Sequence, residues 1–297
     1  MEPLRVVVRR GDVVEAVHIV HAVAVRDGRV VESAGDPGLV TFMRSSAKPL
    51  QALPLARARD DLDDRDLAIA SASHRAEPDQ LEAVRALMAK ADVTEDHLEC
   101  GPEDGSRLRH NCSGKHAGML ALARARGWPT RGYRLAGHPV QEGCLAEVVA
   151  AAEVSGADVP TAVDGCGVVT FALTLERTAH AFSRLEALEE GPRVAAAMRA
   201  YPELIRGGSA ADTLLMRGFP GWTAKGGAEG LICAVSPEGV GVALKVEDGS
   251  GRGVRPALGA FLARLGLDSE ALAGAGLGRL PLLNSRDEEC GEIVTEV

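Results

Sequence analysis

The chain has 297 residues, of which 46% are apolar, 25% charged and only 3% aromatic, with a net charge of −9. This is the composition of a globular domain and not of a disordered or collagen-like chain, and no apolar run of about 18 residues could cross a membrane as a helix. An acidic, aromatic-poor chain offers neither the basic face nor the stacking platforms of a nucleic-acid binder, and the N-terminal segment lacks the basic-then-apolar layout of a signal peptide. A cytoplasmic chain is therefore expected, with its six cysteines as thiols and not as a disulfide framework.

Residues 4–9, 13–25 and 29–33 alternate or run apolar between turns at Arg10-Gly11-Asp12 and Asp27-Gly28, the pattern of an antiparallel meander. A short strand at 39–43 leads into a helix that opens at Arg44–Pro49 and should be kinked or shortened by Pro54. The acidic run at 60–66 reads as a solvated helix start, and a clearer helix at 78–91 sets Leu81, Val84, Leu87 and Met88 on one face. Helices follow Asn111–His116 and His138–Gln141, and two more are expected near 170–190 and 191–206. Residues 163–168 read as a turn. Strands return around Lys225, at 231–235 and at 240–246, followed by a helix at 252–265. Glu247–Gly253 is glycine-rich but lacks a phosphate-loop spacing, so it reads as the cap of that helix. The last ~15 residues are charged and expected to be loosely held.

Strands at both ends and helices in the middle predict an α+β fold. One antiparallel sheet would use residues 1–60 and 220–297, with a mainly helical part at 61–219, in a single catalytic unit. The crevice between the two parts is the expected site.

Only five of the 33 basic residues are lysine: Lys48, Lys90, Lys115, Lys225 and Lys245. Where arginine serves as the generic cation, a retained lysine points to a role that arginine cannot fill, because arginine does not lose its proton near neutral pH. Lys90 lies at the polar end of an amphipathic helix and reads as an ordinary surface cation. Ser45 and Lys48 are spaced i, i+3, so on a helical turn the amine reaches the hydroxyl and can activate it as a nucleophile. Ser46 points elsewhere. Ser-x-x-Lys is a working motif of serine β-lactamases and penicillin-binding proteins, and a Lys225-Gly226-Gly227 strand lies in the downstream order that such an architecture uses. Cys112-x-x-Lys115 puts a thiol and an amine on one helix face, and Asp164-Gly165-Cys166 puts another thiol on a tight turn. Spacing alone leaves zinc open, since structural zinc takes four ligands. His74, His116 and His138 stand at loops or helix starts and read as local structure.

Seven segments, taken together, resemble the bacterial asparaginases of the Rhizobium etli type, the asparaginase II family. They are RSSAKPLQALPL (44–55), SHRAEPDQ (73–80), HNCSGKHAGML (110–120), HPVQ (138–141), DGCGV (164–168), AKGGAEGL (224–231) and ALKVEDGSGRG (243–253). The resemblance implies a serine β-lactamase-like fold, a homodimer, and hydrolysis of L-asparagine to L-aspartate and ammonia. It implies two Ser–Lys pairs, Ser45 with Lys48 and Ser73 with Lys245. It also implies zinc held by Cys112, Lys115 and Cys166, with the lysine neutral. Arg44, His74, Asp164 and Lys225 are expected around the substrate. Two positions depart from the family's expected residues: Ala76 stands for Gly and Val169 for Pro. Related acyl transfer on glutamine, an ester or a β-lactam is the alternative enzyme. A zinc-stabilised binding protein is the non-catalytic alternative, and two Ser–Lys pairs argue against it.

Overall fold

The computed structural model describes residues 1–296. The N-terminal meander forms β1 (Leu4–Arg10), β2 (Val13–Arg26) and β3 (Arg29–Ala34), followed by β4 (Val40–Phe42). A 3-10 turn at Arg44–Ala47 runs straight into α1 (Lys48–Ala58), which carries Pro54 inside it without ending there. Next come α2 (Asp64–Ala70), α3 (Pro78–Lys90), α4 (Ser113–Ala125) and α5 (Pro139–Ala152). The stretch expected to be helical from about 170 starts instead as strand. β6 (Val169–Thr174) pairs with β4 on one side and with β5 (Thr161–Val163) on the other in a three-stranded sheet, and only then does α6 (Leu175–Ser183) begin. The physical reason is local: VTFALT is rich in β-branched and aromatic residues, and Thr174 Oγ1 accepts from the Arg177 amide at 3.1 Å, capping the helix there.

After α7 (Gly191–Ala200), α8 (Pro202–Arg206) and α9 (Ala211–Gly218), the chain returns to the main sheet as β7 (Thr223–Gly226), β8 (Leu231–Val235) and β9 (Gly241–Val246). It then closes with α10 (Val254–Arg264), α11 (Ser269–Gly274), β10 (Leu280–Leu283) and β11 (Glu289–Glu296). The large sheet runs β10-β11-β1-β2-β9-β8-β7, with β3 also on β2, and every pairing is antiparallel. The sheet thus joins both ends of the chain, as the sequence predicts, and the class is α+β. β8 and β9 are buried along their whole length, as continuous apolar runs covered on both faces should be.

The C-terminal residues are more firmly placed than their charge suggests. β11 pairs with β1 in register Val7↔Val294, and the charges expected to loosen it are cross-strand partners, Arg5 with Glu296 and Arg9 with Glu292. The acidic run at 60–66 starts a helix, but it is not simply solvated. Asp63 and Asp66 form a reciprocal capping box on α2, Asp66 is 3% exposed, and Lys90 binds both carboxylates, so that lysine is a structural cation.

Candidate active site

The close contact between α2 and α4 sets the geometry of the site. A Cβ on Gly114 would lie 2.2 Å from the Ile69 carbonyl oxygen, and one on Gly118 would lie 2.9 Å from Ala70 Cβ. Only glycines one helical turn apart let α4 approach this closely, which explains their spacing in HNCSGKHAGML. Residues 71–74, which follow α2, are thereby held beside the start of α4. The Ser73 amide donates to Ile205 O at 2.7 Å and the His74 amide to Asn111 O at 3.0 Å.

Ser73 Oγ accepts from two lysines, Lys48 Nζ at 3.0 Å and Lys225 Nζ at 3.1 Å. Both lysines are fully buried. Lys48 also donates to Ala72 O and to Cys112 Sγ at 3.3 Å. Lys225 donates to Gly226 O at 2.7 Å and stands 3.8 Å from Asp212 Oδ2. Burial pushes the Lys48 amine below its ordinary range against the pull of the Cys112 thiol. Burial pushes Lys225 well below it; Asp212 opposes the shift, and Arg206 and Lys48 add to it.

The pairings differ from those expected. Lys245 does not reach Ser73: its Nζ donates to Val246 O, and Glu229, Asp248 and Glu247 surround it. Lys225, expected only near the substrate, takes that place. Register decides it, because β7 is the strand next to the 71–74 segment while Lys245 sits two strands further into the sheet. Ser45 lies one turn before Lys48, whose amide donates to Ser45 O. It is half-buried, and the Lys48 amine is bonded to Ser73 and not to the Ser45 hydroxyl. Ser46 is buried with its Oγ unpartnered, beside Gly227, where a Cβ would lie 2.8 Å from that oxygen. The end of β7 at Gly226-Gly227 therefore packs against the turn that carries Ser45.

Arg44 holds a left-handed φ of 49°, a strained conformation for a side-chain-bearing residue. Its Nε donates to Asp164 Oδ1 at 2.7 Å, and the same oxygen accepts the Gly165 amide at 2.7 Å. His74 is buried, accepts the Ala76 amide on Nδ1 at 3.1 Å and is bonded to Ser113 Oγ through Nε2 at 2.8 Å. Burial, with Lys48 nearby, lowers its pKa to about 4, so the ring is neutral. Ala76, where the family resemblance implies glycine, has φ 57°.

Cys112, Lys115 and Cys166 are all buried and converge. Lys115 Nζ donates to Cys166 Sγ at 3.1 Å. The interaction between the two thiols pulls Cys112 well below its ordinary pKa, helped by the Lys48 and Lys115 amines, and, together with burial, pushes Cys166 up. Burial works against the Lys115 charge, but Cys166, Cys112 and Asp164 hold it in the ammonium form. Among the described residues no group of three His, Cys, Asp or Glu could hold a metal ion. The donor set here is two sulfurs and one amine. That chemistry fits zinc with open positions once the amine and thiols give up their protons.

The HPVQ segment proves to be scaffold. His138 caps α5 through the Val140 amide, and Gln141 Nε2 donates to Tyr133 O at 2.7 Å. His116, bonded to Tyr133 Oη at 2.7 Å, is also part of the packing. Sequence reasoning missed Asp212, a buried carboxylate that accepts the Gly226 amide at 2.8 Å. Its only signal is an acid in the first turn of a helix, which is commonplace.

A comparison with curated proteins finds no match. Solved structures similar to this chain include the protein Mglu in its native form, at 13% identity and TM-score 0.48 over 84% of this chain and 65% of that one. A second structure of Mglu, in high salt, matches at 17% identity and TM-score 0.37 over 80% of this chain and 59% of that one. A β-lactamase from Mycobacterium bovis matches at 14% identity and TM-score 0.36 over 78% of this chain and 88% of that one. The chain thus spans less than two thirds of the length of Mglu. A family model described as L-asparaginase II matches residues 6–295. With nearly its whole length matched, and the lysines, serines and cysteines quoted above inside that match, the chain belongs to the L-asparaginase II family.

Proposed function

We propose that this protein hydrolyses the side-chain amide of L-asparagine to L-aspartate and ammonia through an acyl-enzyme on Ser45. The observation that carries the reading is the pair of buried amines, Lys48 and Lys225, bonded to one hydroxyl, Ser73. Two amines buried this deeply beside one hydroxyl, with Asp212 the one carboxylate near them at 3.8 Å from Lys225, are costly unless they are neutral for part of the time, and a neutral amine is the base that a serine nucleophile needs.

In the acylation step, Lys48 takes the Ser45 hydroxyl proton as Oγ bonds to the carboxamide carbon. The tetrahedral intermediate then collapses, its C–N bond breaks, and the nitrogen leaves as ammonia carrying the proton from Lys48. A water molecule attacks the β-aspartyl ester, giving its proton to Lys48, and the Ser45 oxygen leaves with that proton. Ser73 links Lys48 to Lys225, so a proton can be redistributed between the amines while one of them stays neutral. The positive φ of Arg44, with its guanidinium tied to Asp164, fixes the turn that presents Ser45.

Cys112, Lys115 and Cys166 would hold a zinc ion, which when bound would polarise or anchor a substrate oxygen. The residues around it act without it as a step: Asp164 orients Arg44, and His74 supports Ser113 at the start of α4.

One observation favours Ser73 as nucleophile instead, since it is the hydroxyl in hydrogen-bond reach of both amines; at 5% exposed it is the less accessible serine. Two measurements test the reading. Ammonia release from asparagine and glutamine, and the colour change of a chromogenic β-lactam, identify the reaction. Peptide mapping after an electrophilic asparagine analogue identifies the serine. Label on Ser45 supports the mechanism as written, label on Ser73 exchanges the two serines, and no ammonia from any amide overturns the function.

A further inference from the structure

Gly226, next to Lys225, borders a cavity of about 290 Å³. Three arginines line it from three separate parts of the fold: Arg75 after the Ser73-His74 segment, Arg206 at the end of α8, and Arg255 in the first turn of α10. None of the three forms an ion pair among the described residues. Arg75 Nη1 donates to Ser209 Oγ at 3.2 Å and Arg255 Nε to Gly276 O at 2.8 Å. Arg206 Nη1 lies 2.1 Å from where a Cβ on Gly226 would stand, so the strand needs glycine there for the guanidinium to lie against it.

Two helices also begin at this cavity. α9 starts at Ala211 and α10 at Val254, and Ala210, Ala211 and Val254 line the wall. Their cap positions are Ala210 and Gly253, and neither helix has a side-chain cap. The first-turn amides of α9 bring partial positive charge to this space, whereas α10 continues a 3-10 turn at Gly251–Gly253 that Ser250 Oγ caps and whose Gly251 carbonyl accepts the Val254 amide.

The nearest acids do not neutralise it. Asp212 Oδ2 is taken up by the Gly226 amide and Lys225. Glu77 stands at the exposed rim beside Arg75. Burial alone lowers the Arg255 guanidinium, with no acid offsetting it. Arg44, by contrast, is already engaged by Asp164.

Guanidinium groups and the uncapped start of α9 converging on a cavity at the small end of the ligand-site range are the chemistry of an anion site for a molecule of amino-acid size. We propose that this cavity binds a carboxylate, supplied either by the substrate itself or by a separate small acid. Gly226 and Gly227, which directly follow Lys225 in the chain, form part of the cavity wall.

The test is calorimetric titration of the full chain with L-aspartate and with succinate, and with neutral succinamide as control. Both acids should bind and succinamide should not, and Arg206→Gln and Arg255→Gln should each weaken acid binding about tenfold. Thermal unfolding checks that each variant is folded; should either fail, Arg75→Gln at the rim is read in its place. Repeating the titration on Ser45→Ala saturated with asparagine separates the sources. Competition assigns the site to the substrate's own carboxylate, and undiminished binding assigns it to a separate acid; both support the proposal. Acid affinity that is absent, or equal in wild type and arginine variants, overturns it. Binding is measured without turnover, so a protein inactive on asparagine leaves this inference standing, and unchanged affinity in an active enzyme removes this inference alone.

Discussion

Ser73 Oγ accepts from Lys225 Nζ at 3.1 Å although the two residues are 152 positions apart in the chain. The contact joins the end of α2 to the edge strand of the main sheet. It makes the hydroxyl shared with Lys48 the junction between the helical region and the sheet.

Removing either serine should therefore damage activity for different reasons. Ser45→Ala deletes the proposed nucleophile, and Ser73→Ala breaks the link between the two amines. Each should lower kcat/KM for asparagine by about a thousandfold or more, with the unfolding temperature little changed. Ammonia release by the purified variants checks it. Near-wild-type turnover in Ser45→Ala would remove that serine from the chemistry.

The two candidate lysines on the sheet should separate clearly. Lys225→Arg puts a permanent charge where a neutral amine is needed and should cost about a thousandfold. Lys245→Arg keeps a cation among Glu229, Glu247 and Asp248 and should cost less than about tenfold. The reverse order would restore the Ser73–Lys245 pair.

Activity should rise with pH. Burial depresses Lys225, so its neutral form appears below the ~10.4 of an ordinary lysine, and the acid limb of kcat/KM should lie below that value. Asp212 favours the charged amine, so Asp212→Asn should move the limb down by about one pH unit. The same depression means that the unfolded chain binds more protons than the fold between the two pKa values. This group's contribution to stability therefore grows as pH rises through that window. A limb that stays put or moves upward in Asp212→Asn would separate Lys225 from the rate.

Purified protein should carry close to one zinc per chain, and Cys166→Ser should lose most of it. Elemental analysis of the two proteins decides the point, and equal zinc would exclude Cys112, Lys115 and Cys166 as the ligands. Binding displaces the Lys115 and thiol protons, so occupancy should fall as pH drops below neutral.

Ala76 carries a left-handed φ of 57°. Ala76→Gly should stabilise the fold by up to about 1 kcal/mol, because glycine occupies this region without a Cβ penalty. Urea unfolding would show it as a higher midpoint with an unchanged slope.

Local pattern alone placed the N-terminal meander, most of the helices and the strands around residues 223–246, because hydrophobic period and capping chemistry are properties of neighbouring residues. The scarcity of lysine likewise singled out Lys48, Lys115, Lys225 and Lys245 before any contact was known, but not which of the last two meets Ser73. What sequence left undetermined depends on non-local pairing. Val169–Thr174 became a strand because β4 and β5 lie beside it, and the charged C-terminus became β11 because β1 offers matching partners. Which lysine meets Ser73 is a matter of register: Lys225 and Lys245 both lie on strands of one sheet, and only the order β9-β8-β7 puts Lys225 at the edge facing α2. The convergence of Arg75, Arg206 and Arg255 was equally invisible, since three arginines among 28 carry no local signal until three distant segments close around one cavity.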